Sequence, residues 1–252
     1  MKSYFSRSLL LLSLLVFSLN IQAKTNKHEL ARAALSNNND ESAAAIAELR
    51  DSGPAGLSAL FQVYGHEINR QITSSTTSAE SERLNAALDA VSQQKDSYLS
   101  RLYWYTDLAQ AKAAARSSGK PILSLRLLGN LNEEFSCANS RFFRSVLYAN
   151  AEVSDVLREN FVLHWQSVRP APRVTIDFGD GRKLETTITG NSIHYVLDAD
   201  GQALDALPGL YGPKSFLRAL ARAQEIHGVV KEMDLATRAL ALDDYHRASI
   251  RL

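Results

Sequence analysis

The sequence predicts an α/β protein in two parts, an N-terminal helical segment followed by a sheet flanked by helices. Three observations predict it. Apolar residues recur at helical spacing through most of the stretch from His28 to about Leu102. Two short apolar runs, Ile122 to Leu128 and Phe161 to Trp165, then stand on either side of a helical stretch, as buried strands do. Two more pairs of short runs are joined by the turns Gly179-Asp180-Gly181 and Asp198-Ala199-Asp200-Gly201, which read as hairpins.

The chain begins with a stretch of a different kind. Lys2 and Arg7 precede an apolar run from Leu9 to Leu19, and Ala23 stands at a plausible cleavage point before Lys24. This is the pattern of a secretory signal peptide over residues 1–23, too short for a comfortable membrane span. The expectation is an exported protein, periplasmic or extracellular, with no integral span after cleavage. Removing residues 1–23 takes two of the 28 basic residues and none of the 27 acidic ones, leaving a formal charge of about −1. Such a balance gives no electrostatic case for a nucleic-acid partner.

The helical segment, 24–102, places Ala43, Ile46, Ala47 and Leu49, then Leu57, Leu60, Phe61 and Tyr64, at helical spacing around the turn Asp51-Ser52-Gly53-Pro54. Ser74 to Ser81 reads as a loop, and Ala79 to Leu99 resumes the helical pattern. A second region, 103–226, opens on Tyr103-Trp104-Tyr105. An alanine-rich helix from Leu108 to Arg116 ends at Gly119 and Pro121, and the strand from Ile122 follows. Phe142 to Asn160 is helical, with an interruption near Ala149-Asn150. Arg169-Pro170-Ala171-Pro172 fits neither helix nor strand, because each proline removes a donor and restricts its predecessor. Val174 to Phe178 pairs with Lys183 to Ile188, and Ile193 to Leu197 pairs with Ala203 to Leu207. Gly212-Pro213 opens a helix carrying Phe216, Leu217 and Leu220. A helical tail, 227–252, completes the chain.

Trp104, the helix Ala109 to Arg116, Gly119-Lys120-Pro121-Ile122, Glu159-Asn160-Phe161-Val162, Tyr195-Val196-Leu197-Asp198 and Asp200-Gly201 together resemble the exported thioredoxin-like family, over about Tyr103 to Ala223. The resemblance implies a thioredoxin-like sheet with its working motif at the junction after the Ile122 strand. Two departures stand out. The family's C-x-x-C becomes Cys137-Ala138-Asn139-Ser140, with Ser140 at the resolving position, and the family's cis-proline falls at about Ser192. If Cys137 matches the second cysteine instead, the nucleophile's place falls on Glu134 and the redox chemistry is gone.

Cys137 is the only cysteine in the chain, so an internal disulfide and a dithiol cycle are both excluded. A thiol at a helix start is favoured as thiolate, and Arg141 or Arg126 would add to that effect. A lone thiolate can attack a substrate disulfide, forming a mixed disulfide as the other sulfur leaves, and an external thiol must then release it. The partner implied is a protein thiol or disulfide, and the chemistry needs no cofactor. The alternative is a packed small side chain in a non-catalytic interaction module of thioredoxin fold.

Other chemistry is weaker. Cys137 with His164 or His194 and Asn139 has the parts of a cysteine hydrolase, but no spacing requires it. The six histidines are scattered, which gives no metal site. Gly179-Asp180-Gly181 lacks the spaced carboxylates of a calcium loop. Three polar runs beside glycines and prolines lie at strand ends that converge in this layout. They group Cys137 and Ser140, as the residues of the chemistry, with Asn139, Arg141, Arg169, Asn191 and Ser192 as candidates for binding.

Overall fold

In the computed structural model, residues 27–74 and 78–250 are described. The signal-peptide expectation for residues 1–23 lies outside them, as do three residues of the expected Ser74 to Ser81 loop. Among the described residues, no helix is long and apolar enough to cross a membrane. The chain divides into two compact units between Val91 and Ser92.

The first unit is helical. After a helical stretch at 27–33, α1 (Asn39–Asp51), α2 (Pro54–Ser74) and α3 (Ala79–Ser92) follow in order. Asn38 starts α1 by accepting from the backbone N–H groups of Asp40 and Glu41, a side-chain cap reinforced by acidic residues in the first turn. Gly56 in α2 lies so near the Leu49 carbonyl that a Cβ would collide with it, so only glycine allows this approach. Leu49, Leu57, Leu60, Ile68, Leu84 and Leu88 form the buried face. Helix α3 stops at Ser92, short of the expected Leu99; a 3₁₀ turn at Ser97–Leu99 follows.

The second unit is built on a mixed sheet of five strands. These are β1 (Trp104–Tyr105), β2 (Ile122–Leu128), β3 (Val162–Arg169), β6 (Ser192–Leu197) and β7 (Ala203–Pro208), in spatial order β1-β3-β2-β6-β7. β1 and β2 run parallel to β3, while β6 runs antiparallel to β2 and β7 antiparallel to β6. β4 (Arg173–Asp177) and β5 (Lys183–Thr187) form a separate two-stranded ribbon.

Side-chain alternation assigns the two faces of the main sheet. Ile122, Val162 and Leu197 pack on α4 (Leu108–Ser118) through Ala111 and Ala115. Leu123, Leu125, Leu127, Trp165 and Val196 face the larger core with Phe143, Leu147, Leu157, Phe216 and Leu220. Those partners come from α5 (Ala138–Phe142), a π-helical turn at Phe143–Leu147, α6 (Ala151–Asn160) and α7 (Pro213–Val230). The interruption expected near Ala149-Asn150 in the helical stretch 142–160 falls there, between the π-helical turn and α6. Asn150 breaks the stretch by accepting from the Val153 N–H as the cap of α6. Helix α7 runs past Ile226 to Val230, and the tail forms α8 (Leu235–Ile250), which packs Ala241, Leu242 and Tyr245 on the core.

The stretch before β1 belongs with the sheet. Trp104 Nε1 donates to Gln94 Oε1 at 2.9 Å, Trp165 Nε1 to the Gln93 carbonyl at 2.7 Å, and Ser92 Oγ to the Leu102 carbonyl at 2.6 Å. Both indoles thus satisfy their only donor while their rings stay in the core.

Two histidines are buried neutral. His164 faces α4 and shares a hydrogen bond with Ser124 Oγ at 2.8 Å; burial, then the charge of Arg126, lowers it to about 4. His194 faces the larger core, and burial lowers it to about 3. Unfolded, both rings take up a proton near pH 6.5, so the unfolded state binds more protons below that value. Stability is fully present above about pH 6.5 and falls as pH drops toward 4, by up to about 1.4 kcal/mol per pH unit for each ring. Urea unfolding between pH 7 and 4.5 should show this slope, and His194→Gln should flatten it. An unchanged slope in that variant would show that His194 does not contribute.

Candidate functional site

Strand β2 ends at Leu128, and the chain turns through Gly129, at φ 71°, into the loop that carries Cys137. Leu128 fixes the return of that loop: its carbonyl accepts the Cys137 N–H at 3.1 Å. Cys137 has extended backbone, φ −63° and ψ 161°, and occupies the cap position of α5. The cap is made at its backbone. Its carbonyl accepts the Arg141 N–H at 3.1 Å and the Ser140 hydroxyl at 2.8 Å.

A second segment, 187–192, lies along this loop. The Ala138 N–H donates to the Thr189 carbonyl at 2.9 Å, and Thr187 Oγ1 donates to the Ser136 carbonyl at 2.6 Å. Arg141 clamps both sides, with Nη1 donating to the Ser136 carbonyl at 3.1 Å and to Thr187 Oγ1, and Nη2 donating to the Thr187 carbonyl at 2.7 Å. Asn139 Nδ2 donates to Ser192 Oγ at 2.9 Å. The thiol of Cys137 lies 3.7 Å from the Asn191 carbonyl, to which it donates.

The structure thus brings together Cys137, Asn139, Ser140, Arg141, Asn191 and Ser192. They form a hydrogen-bonded knot around the buried thiol. Cys137 and Ser140 are 0% exposed, and Asn139 and Ser192 are buried as well. Arg169 does not join them through its side chain. It falls on the last residue of β3 instead of in the proline-rich loop, because its carbonyl accepts the Gly129 N–H at 2.9 Å and extends the sheet by one step. Its guanidinium is exposed and, among the described residues, bonds to none of the knot. A cavity of about 310 Å³ lies between Gly129, Asn130, Glu133, Phe135, Pro170 and Arg173, and the thiol does not line it.

The position expected to hold a cis-proline has Ser192, and no peptide bond among the described residues is cis. The chain approaches Asn139 closely at Gly190, where a Cβ would collide with Asn139 Oδ1. Glycine there supplies the close passage. Ser136 Oγ is fully buried and has no hydrogen-bond partner among the described residues, while its carbonyl accepts from two donors, Arg141 Nη1 and Thr187 Oγ1. Ser136 opens the polar run that ends at Arg141, whereas Thr187 is missed in the sequence; the signal that would find it is the threonine-rich run Thr186-Thr187-Ile188-Thr189-Gly190 at the exit of a hairpin.

Burial pushes the Cys137 thiol up, but hydrogen bonding at Ser140, then at the Asn191 and Leu128 backbone, brings it below its ordinary value. Two contacts oppose that lowering. The single proton of the Ser140 hydroxyl goes to the Cys137 carbonyl, and the S–H group aims at the Asn191 carbonyl, which favours the protonated thiol.

A hydrolase arrangement does not form. His164 and His194 lie on opposite faces of the sheet, since Ser124 pairs with His164 and Leu125 with His194 along β2. His194 lies on the thiol's side, but its Nε2 is 2.6 Å from the Tyr148 hydroxyl and its Nδ1 has no partner. Among the described residues no group of histidine, cysteine and acidic side chains has the arrangement of a metal site.

No protein-family model matches this chain, and no curated protein matches its sequence. Gly190→Ala tests the knot directly. The added methyl should push Asn139 off Ser192 and destabilise the fold by about 1–3 kcal/mol, read from urea unfolding. A variant as stable as the parent would show that the close passage is not a constraint.

Proposed function

We propose that the sheet-bearing unit is a thioredoxin-like domain of an exported protein, and that it acts as a non-catalytic interaction module. The observation that carries this reading is the closure of the thiol. Cys137 is 0% exposed beneath segment 187–192, and its S–H is directed at a backbone carbonyl. A buried protonated thiol does not attack a disulfide without opening, because thiolate and access are both required. Support for the fold assignment comes from the strand order β1-β3-β2-β6-β7, with three parallel strands followed by an antiparallel pair, and from the cysteine at the junction after β2. Export is supported by the character of residues 1–23 alone.

One observation favours a second reading, monothiol exchange through Cys137. The thiol stands at the first position of the motif, at the cap of α5, and lies below its ordinary pKa despite burial. In that reading Cys137 attacks, Ser140 cannot resolve, and segment 187–192 must swing aside first.

Alkylation of the folded protein across pH 6 to 10, compared with the denatured protein, separates the two. The interaction-module reading expects labelling at least about 100-fold slower when folded at every pH. Fast labelling of the folded protein, with a midpoint below about 8.5, would sink it in favour of exchange. Cys137→Ser should retain the melting temperature within a few degrees in either case.

A further inference from the structure

The β4–β5 ribbon stands outside the main sheet and, among the described residues, no further strand pairs with either of its edges. Its pairing is registered with Thr175 opposite Glu185, Ile176 opposite Leu184 and Asp177 opposite Lys183. The Phe178 N–H donates to the Arg182 carbonyl at 3.1 Å, which makes that pair hydrogen-bonded. Antiparallel pairs alternate, so Ile176 and Val174 also bond inward to β5. The backbone N–H and C=O groups of Arg173, Thr175 and Asp177 therefore point outward along the free edge of β4, and all three residues are exposed. The ribbon is also amphipathic. Ile176, Phe178 and Leu184 are 42%, 52% and 48% exposed on one face, while Arg173, Asp177, Lys183 and Glu185 lie on the other. An isolated two-stranded ribbon is marginal in water, and an unpaired edge is a template for another strand.

We propose that this edge pairs with the same edge of a second copy of the chain, antiparallel, about a two-fold axis at Thr175. The charge pattern selects the partner and the register. With Thr175 at the axis, Arg173 of each copy faces Asp177 of the other, on the same face and at hydrogen-bonded positions. Val174 of each copy meets Ile176 of the other on the apolar face. Two opposite-charge pairs form for one symmetric contact, as an isologous interface requires. The opposite edge cannot do this, because self-pairing of β5 about its middle residue sets Glu185 against Glu185 of the second copy. The result is a four-stranded sheet, β5-β4-β4-β5, shared between two copies. It does not rest on either reading of Cys137.

Sedimentation of the purified protein from about 1 to 200 µM in reductant tests it. A reversible monomer–dimer equilibrium is expected. Arg173→Asp and Asp177→Arg should each weaken the dimer at least about tenfold, because each turns both attractive pairs repulsive. The circular dichroism of the monomer should be retained in both, although Arg173 also lies over the Phe135 ring and Asp177 also pairs with Lys183 at 3.5 Å. The double swap, Arg173→Asp with Asp177→Arg, should restore it to within about threefold. Thr175→Pro removes an outward N–H without touching the β4–β5 ladder, and it should abolish the dimer while circular dichroism is retained. A chain that remains monomeric throughout, a dimer indifferent to the single reversals, or a double swap no better than either single variant overturns the proposal.

Discussion

Strand β2 is the constraint on which the sheet-bearing unit depends. It bonds to β3 on one edge and β6 on the other, and it buries side chains on both faces. A strand enclosed in this way tolerates no slip in register, since a shift of one residue would exchange its two faces. Its two neighbours are parallel on one side and antiparallel on the other, so the end of β2 meets the start of β6. That is where Leu128 holds the Cys137 N–H and where Ser192 meets Asn139.

The polar knot at this junction follows from the need to satisfy backbone groups below the surface. Two loops leave the sheet side by side without a ladder between them, and unpaired buried carbonyls are costly. Arg141 and Thr187 supply the missing donors to Ser136, and the Thr189 carbonyl takes the Ala138 N–H. A guanidinium suits this role because its fork reaches two carbonyls and a hydroxyl at once. The same bonds close the space over the sulfur. Burial of Cys137 is thus a by-product of fastening two loops, and chemistry at the thiol would require several of these bonds to break together.

Between β3 and β6 the chain inserts the β4–β5 ribbon. Its root is fixed by Thr187 to the cysteine loop and by the position of Arg173 over the Phe135 ring, 4.7 Å from its centre. Beyond the root, the apolar side chains of the ribbon stay in solvent while its charged face alternates in sign. The thiol and the ribbon are therefore neighbours with opposite character, one sealed by hydrogen bonds and one left open along a strand edge.

Much of this was legible in order along the chain. Apolar runs set β2 and the start of β3, Asp-Gly and Gly-Asp-Gly turns set both hairpins, and Gly119 and Gly212-Pro213 set the ends of helices, because these signals act over a few residues. The lone cysteine and its place after β2 were equally plain. Boundaries that depend on distant partners were not. α3 stops at Ser92 because the following residues hold Trp104 and Trp165, and Arg169 joins β3 because Gly129 waits across the sheet. The sequence by itself determined that a thiol stands between a strand and a helix, with asparagine, serine and arginine close behind it. Only the tertiary structure decided that the thiol is covered, because the residues that cover it lie some fifty positions further on and reach it through the pairing of β6 with β2.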